Sequence, residues 1–180
     1  DRFRGEAEYD TIREICQSVS LPVFANGDID SPAKAAEVLA RTGADGLMVG
    51  RAAQGNPWIF REIRHFLDHG EELDPPAPEE VLEVMREHLQ QLHRSYGEHH
   101  GVRVARKHIG WYLQGRPDSA AARKLLMKAQ SAAEQFSILN QYFRQGLPHA
   151  RAETTKPAFI PYRHDTARAG VDARLGAGIS

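Results

Sequence analysis

Asn26, Gly27 and Asp28 form one short polar run, and Gly50 and Arg51 open another. Together they have the chemistry to hold a phosphate. Gly27 lets the backbone approach a ligand closely, and Asn26 and Asp28 set polar groups beside it. Gly50 exposes a backbone N–H. Arg51 adds a guanidinium, whose planar fork makes paired, charge-assisted hydrogen bonds to phosphate oxygens. A helix N-terminus, expected just beyond Arg51, would contribute partial positive charge. The structural alternative is that Asn26 and Asp28 cap a turn while Arg51 pairs with a carboxylate. Two matching loops in tandem favour the phosphate.

A second constellation lies in Val102-Arg-Val-Ala-Arg-Lys-His-Ile-Gly-Trp-Tyr-Leu-Gln114. On a helix, Ala105, Ile109, Tyr112 and Leu113 share one face, and Arg103, Arg106 and Lys107 share the opposite one with Gly110 and Gln114. Trp111 falls at the border. A basic face edged by an aromatic suits an RNA backbone with an exposed base nearby. A solvated basic face with a core tryptophan is the competing reading.

The remaining reactive side chains point to structure. Cys16 lies on a helical stripe with Ile12 and Ile15 and reads as a buried structural thiol. His65 and His69 stand one helical turn apart, but no third ligand accompanies them, so no metal site is expected. His99 and His100, beside Gly101, read as a turn between helices. Arg61 and Glu62 continue an exposed face.

These residues must be carried by regular elements. Ile12, Ile15, Cys16 and Val19 have helical spacing over 9–19, and 21–25 is a short apolar strand. Asn-Gly often marks a hairpin, yet no second strand follows. Ser31-Pro32 instead starts a helix, with serine as N-cap and proline in the first turn. Ala35, Val38 and Leu39 point inward, and Gly43 ends that helix. Residues 46–49 form a second strand, and Asn56-Pro57 repeats the helix-start signal before an apolar stripe of Trp58, Ile59, Ile63, Phe66 and Leu67. Strand, polar loop and helix, twice in succession, are the repeat of a parallel (β/α) barrel. Barrels of this kind hold ligands at the C-terminal ends of their strands, and the loops after the last two strands often hold phosphate. After a linker rich in proline and acid, helices are predicted at 79–96, 102–114, 119–129 and 132–143. Residues 145–180 have no periodicity and read as a disordered tail.

Bulk composition adds bounds. The 180 residues are 41% hydrophobic and 26% charged, with a net charge of −1, so any basic surface is local. One cysteine excludes a disulfide framework and a cysteine zinc site. No apolar run is long enough to span a membrane, and the cytoplasm is the expected compartment. The start at Asp1, without a methionine and within a loop, suggests a piece of a longer protein.

Several runs resemble bacterial tRNA-dihydrouridine synthases, most closely the B type. They are Gly5-Glu-Ala-Glu-Tyr-Asp10, Asn26-Gly-Asp28, Gly43-Ala-Asp45, Gly50-Arg-Ala-Ala-Gln-Gly-Asn-Pro-Trp58, and Ala105-Arg-Lys-His108 with Trp111-Tyr112. The resemblance extends over about residues 1–144. It implies an FMN-binding (β/α)8 barrel joined to a helical domain that grips tRNA. It also implies a flavin reduced by NADPH, hydride delivery to uridine C6, and a cysteine acting as general acid at C5. Asn26, Gly27, Asp28, Gly50 and Arg51 would then lie on the FMN phosphate and ribityl chain. Arg103, Arg106 and Lys107 would face tRNA. A barrel of eight strands takes ~250 residues, so the expectation is its C-terminal part: 1–70 as the last βα units, 71–78 as linker and 79–144 as the tRNA-binding helical domain. The catalytic cysteine would lie upstream of Asp1, and Cys16 matches it neither in motif nor in position. On its own the chain would lack a complete catalytic centre. Two other readings share features with this one: another FMN barrel oxidoreductase acting on a small molecule, and a non-catalytic RNA-binding module.

Overall fold

In the computed structural model, residues 7–145 are described. The expected tail therefore lies outside the described residues beyond Gln145, as do Gly5 and Glu6 of the first family-like run. The elements run α1 (Tyr9–Ser18), β1 (Phe24–Asn26), α2 (Pro32–Thr42), β2 (Gly46–Met48), a 3₁₀ turn (Arg51–Ala53), α3 (Ile59–His69), α4 (Pro78–Tyr96), α5 (Glu98–Tyr112), α6 (Ser119–Leu126) and α7 (Ala132–Gln145).

The strands pair in parallel, with Phe24 opposite Gly46, Ala25 opposite Leu47 and Asn26 opposite Met48. The α2 helix is the crossover, as parallel pairing requires. Both strands therefore end at the same edge of the sheet, and the loops that follow them are neighbours. Asp45 ties the opposite edge, accepting from the Val23 N–H at 2.8 Å and donating its own N–H to the Val23 carbonyl at 2.9 Å. Ser31 caps α2 as expected, its Oγ accepting from the Lys34 N–H at 3.3 Å, with Pro32 in the first turn and Gly43 at the C-cap. A core of Tyr9, Ala25, Ile29, Ala35, Val38, Ile59 and Ile63 joins α1, the strands, α2 and α3.

A second core joins α4 through α7 around Val81, Leu82, Met85, Leu89, Ala105, Ile109, Leu113, Leu126 and Leu139. Trp58, which comes before the proline-rich segment, belongs to this second core. Its ring meets Tyr112 edge-on at 6.3 Å. Its Nε1–H donates to Glu80 Oε1 at 2.7 Å, and Arg61 donates to both Glu80 oxygens at 2.6 and 3.3 Å. Gly55 lies so close to α5 that a Cβ there would stand 2.5 Å from the Trp111 carbonyl carbon. The two regions are thus joined at one seam built from 55–61.

Several expectations need correction. The strand begins at Phe24, not residue 21, because Pro22 has no N–H for a ladder and the pairing starts opposite Gly46. Asn56 is not an N-cap: α3 starts at Ile59 with Trp58 in the cap position. The intervening turn swings Trp58 into the second core. His99 and His100 sit in the first turn of α5; the break falls at Gly97. That helix reaches back because Gly101 packs on the backbone of α4 at His93. In α1 only Tyr9 is fully buried, Ile15 and Val19 are exposed, and Cys16 is half-buried. Leu39 of α2 is half-buried, and Thr42 is the buried residue at that end. Leu67 is exposed on α3. Among the described residues, no helix is long and apolar enough to cross a membrane.

Candidate functional site

The two polar runs meet at the C-terminal edge of the sheet. Asp28 Oδ1 accepts from Arg51 Nη2 at 2.6 Å, which joins the loops across 23 residues. The other carboxylate oxygen accepts from the Ala7 N–H at 3.0 Å. Gly27 has φ +129°, and a Cβ there would collide with the Cβ of Ala7. Only glycine satisfies both the angle and the close approach. Asp28 follows with φ 44°, a left-handed conformation that aspartate tolerates better than most residues. Tyr9 completes the loop's support: its buried hydroxyl donates to the Gly27 carbonyl at 2.7 Å. Burial raises the Tyr9 pKa, and the nearby Lys34 ammonium opposes that shift. The phenol stays protonated and remains a donor.

On the other loop, Gly50 is exposed with no atom within 4 Å of a notional Cβ, so a ligand can reach its backbone. Arg51 is exposed and turned toward the same edge. Asn26, the last residue of β1, is also exposed. The expected helix start after Arg51 is absent: a three-residue 3₁₀ turn stands there, and α3 begins only at Ile59. The local positive charge therefore comes from Arg51 rather than from a helix dipole. The arrangement can take an anion through Arg51 and backbone N–H groups, the chemistry a flavin phosphate needs. Sequence reasoning missed Tyr9 and Ala7. A tyrosine hydroxyl finds a hydrogen-bond partner once it is buried, but nothing in the adjacent residues shows that Tyr9 is buried or which partner it meets.

The basic face on α5 is divided. Arg103 and Lys107 are exposed, and the Lys107 ammonium lies 4.9 Å from the Trp111 ring centroid. Arg106 is half-buried and donates Nη2–H to the Ala129 carbonyl at 3.0 Å, which links α5 to the segment between α6 and α7. Beside these residues, His108 packs edge-on against Trp111 at 5.0 Å and against His88 at 4.8 Å. His88 Nδ1 is 3.1 Å from the Tyr112 hydroxyl. Burial lowers the pKa of His88; burial, then His88 and Lys107, lowers that of His108.

Cys16 lines a shallow hollow with Arg13, Gln17, Ala40, Arg41, Thr42 and Gly43. The hollow lies between α1 and the end of α2 that leads into β2, opposite the edge that carries Asp28 and Arg51. His65 and His69 have ring centroids 4.6 Å apart, and among the described residues no group of three His, Cys, Asp or Glu side chains is arranged to hold a metal.

A family profile described as Dihydrouridine synthase (Dus) matches residues 1–147. The chain is 53% identical over 146 residues to tRNA-dihydrouridine synthase B of Pseudomonas syringae pv. tomato, covering 81% of this chain and 43% of that protein. It is 51% identical over 145 residues to the protein of that name from Proteus vulgaris, covering 81% and 45%. With that of Shewanella oneidensis it shares 55% over 141 residues, covering 78% and 44%. The chain thus spans less than half the length of these curated relatives.

Proposed function

The chain belongs to the dihydrouridine synthase family, and on that premise we propose that it serves a flavin-dependent enzyme that reduces the C5=C6 bond of a uridine in tRNA. The observation that carries this reading is the Asp28–Arg51 contact, which brings both phosphate-type loops to one edge of a parallel strand pair. We assign residues 1–70 to the closing βα units of a (β/α)8 barrel, 71–78 to a linker and 79–144 to a tRNA-binding helical domain.

Asn26, Gly27 and Gly50 offer backbone and side-chain polar groups to the FMN phosphate and ribityl chain. Arg51 pairs with the phosphate, and Asp28 holds Arg51. Arg103 and Lys107 meet tRNA phosphates, with Arg106 bracing the same helix. Bound FMN supplies the hydride that saturates the uracil ring, with NADPH as the source of its electrons. The proton at C5 comes from a cysteine other than Cys16, which stands at the far edge of the sheet. The setting is cytoplasmic, and neither a membrane nor a metal takes part.

The test is dihydrouridine formation by the intact protein on tRNA lacking the modification, with FMN and NADPH supplied. Dihydrouridine in the product is expected. A yellow, NADPH-oxidising protein that leaves tRNA unchanged would instead be a small-molecule oxidoreductase. Arg51→Ala removes a charged hydrogen-bonding group worth ~1.5–3 kcal/mol, so FMN affinity should fall by roughly ten- to a hundredfold. Unchanged affinity would remove Arg51 from the phosphate.

A further inference from the structure

Of the groups around the candidate phosphate site, the Asp28 carboxylate is the least suited to touch an anion. Like charges at contact distance repel, and an anionic carboxylate has no hydrogen to donate to a phosphate oxygen. Both of its oxygens are also engaged, one by Arg51 Nη2 at 2.6 Å and the other by the Ala7 N–H at 3.0 Å. Its geometry is that of an aiming group: it anchors to Ala7, just ahead of the Glu8 cap of α1, and holds the guanidinium of the other loop.

Tyr9 acts one peptide earlier. Its side chain is 4% exposed, and its hydroxyl donates to the Gly27 carbonyl at 2.7 Å. The carbonyl and N–H of a trans peptide point in opposite directions. Seating the Gly27 carbonyl on Tyr9 therefore turns the Asp28 N–H away from α1. Without that bond, the peptide between Gly27 and Asp28 could rotate and present its carbonyl oxygen to the anion. Glycine at φ +129° and aspartate at φ 44° form a loop that local preference alone does not hold. The Lys34 ammonium and the Arg41 guanidinium lie 5.1 and 5.6 Å from the Tyr9 ring centroid and restrict the ring.

We infer that Tyr9 is a positioning residue of the phosphate site, seating the Gly27 carbonyl so that the Asp28 N–H faces the anion, while the Asp28 carboxylate aims Arg51 without binding the anion itself. The inference rests on the phosphate reading of the two loops. FMN and riboflavin separate a phosphate effect from general loosening, because they differ only in the phosphate.

The experiment titrates both flavins into the intact protein and into Tyr9→Phe, Asp28→Asn and Arg51→Ala. Tyr9→Phe removes one neutral hydrogen bond and should weaken FMN roughly two- to tenfold. Riboflavin affinity should hold, so the preference for FMN shrinks. Asp28→Asn keeps an acceptor for the Ala7 N–H but loses the charge that holds Arg51; it should change the preference in the same direction. An equal loss for both flavins, or no loss for either, overturns the positioning role. If Tyr9→Phe does not fold, as judged by thermal unfolding of the apoprotein, Asp28→Asn decides by the same titrations. If Arg51→Ala leaves the preference for FMN intact, the phosphate reading itself fails and the inference falls with it. If Arg51→Ala abolishes the preference while the other two variants keep it, only the inference fails.

Discussion

Around Gly27 and Arg51, the groups offered to a ligand are held by polar contacts that reach across 18, 21 and 23 residues of chain. On α5, Arg103 and Lys107 are presented by helix geometry alone, and the one arginine of that set with a distant partner, Arg106, is turned inward. The first site is preorganised, as recognition of a small charged group demands. The second presents two exposed cations without such long-range ties, an arrangement that would suit a polyanion whose phosphates recur along its length. The supporting cores differ in extent. That of the α/β region leaves Phe24 and Met48 exposed on its strands. That of the helical region gathers more buried side chains, among them Met85, Leu89, Ile109, Leu113, Leu126 and Leu139.

The contrast breaks down most severely at Trp58. Its chain position assigns it to the α/β region, yet its ring fills the helical core. Trp58→Ala should cost about 3–5 kcal/mol, as large-to-small changes at buried aromatics do. Denaturant unfolding followed by circular dichroism should show α4 through α7 losing stability. Helices that unfold at the wild-type midpoint would mean that the two regions stand independently.

Next in size is the split of the basic face. On the proposed function, replacing Arg103 and Lys107 together with glutamine removes two phosphate contacts. It should flatten the dependence of log K on log salt for tRNA by roughly 1.4–1.8, at ~0.7–0.9 per contact. Arg106→Gln should leave that slope alone and lower stability by about 1–3 kcal/mol, because a buried carbonyl loses its donor. The two measurements are tRNA affinity at several salt concentrations and thermal unfolding. A slope that responds to Arg106→Gln and not to the double variant would reverse the division.

That division marks the boundary of what was legible beforehand. The Ser31-Pro32 cap is written in adjacent residues and appears where expected, and both strands are present and parallel, the first starting at Phe24 rather than at residue 21. Periodicity also names the face of α5 that points away from the core. It cannot name a tertiary neighbour. Arg106 finds the Ala129 carbonyl, Trp58 crosses to Glu80, and Tyr9 reaches Gly27, each through contacts between segments 18 or more residues apart. The same ignorance misplaced His99 and His100: histidines beside a glycine look like a turn, but Gly101 is there because α5 presses on the α4 backbone.

A smaller effect separates the two regions by pH. His88 and His108 both belong to the helical region, and both have pKa values held below the ordinary histidine range near 6.5, first of all by burial. In the unfolded chain they take up protons as pH falls through about 6.5, while the folded protein resists. Their contribution to stability is therefore complete above that pH and is lost as pH falls toward their folded values. The Tm of the wild-type protein should drop modestly between pH 7 and pH 5, and the double variant His88→Gln with His108→Gln should flatten that part of the profile. An unchanged profile would mean that the pair titrates alike in both states.

The smallest effect is expected at Cys16, and it bears on the chemistry of the first site. The thiol is half-buried in a hollow beside Arg41 and Gly43. Because α2 runs antiparallel to the strands it connects, the end that carries Gly43 lies at the edge of the sheet opposite Asn26 and Asp28. A side chain there does not reach a ligand held by Arg51. Cys16→Ala deletes one sulfur from a partly exposed site and should cost about 0.5–1 kcal/mol, in the range of single-group deletions. FMN affinity and dihydrouridine formation by the intact protein should be unchanged. Loss of activity in a folded, flavin-loaded Cys16→Ala protein would make Cys16 the proton donor, and would require α1 to approach the flavin from an edge that the parallel pair turns away from it.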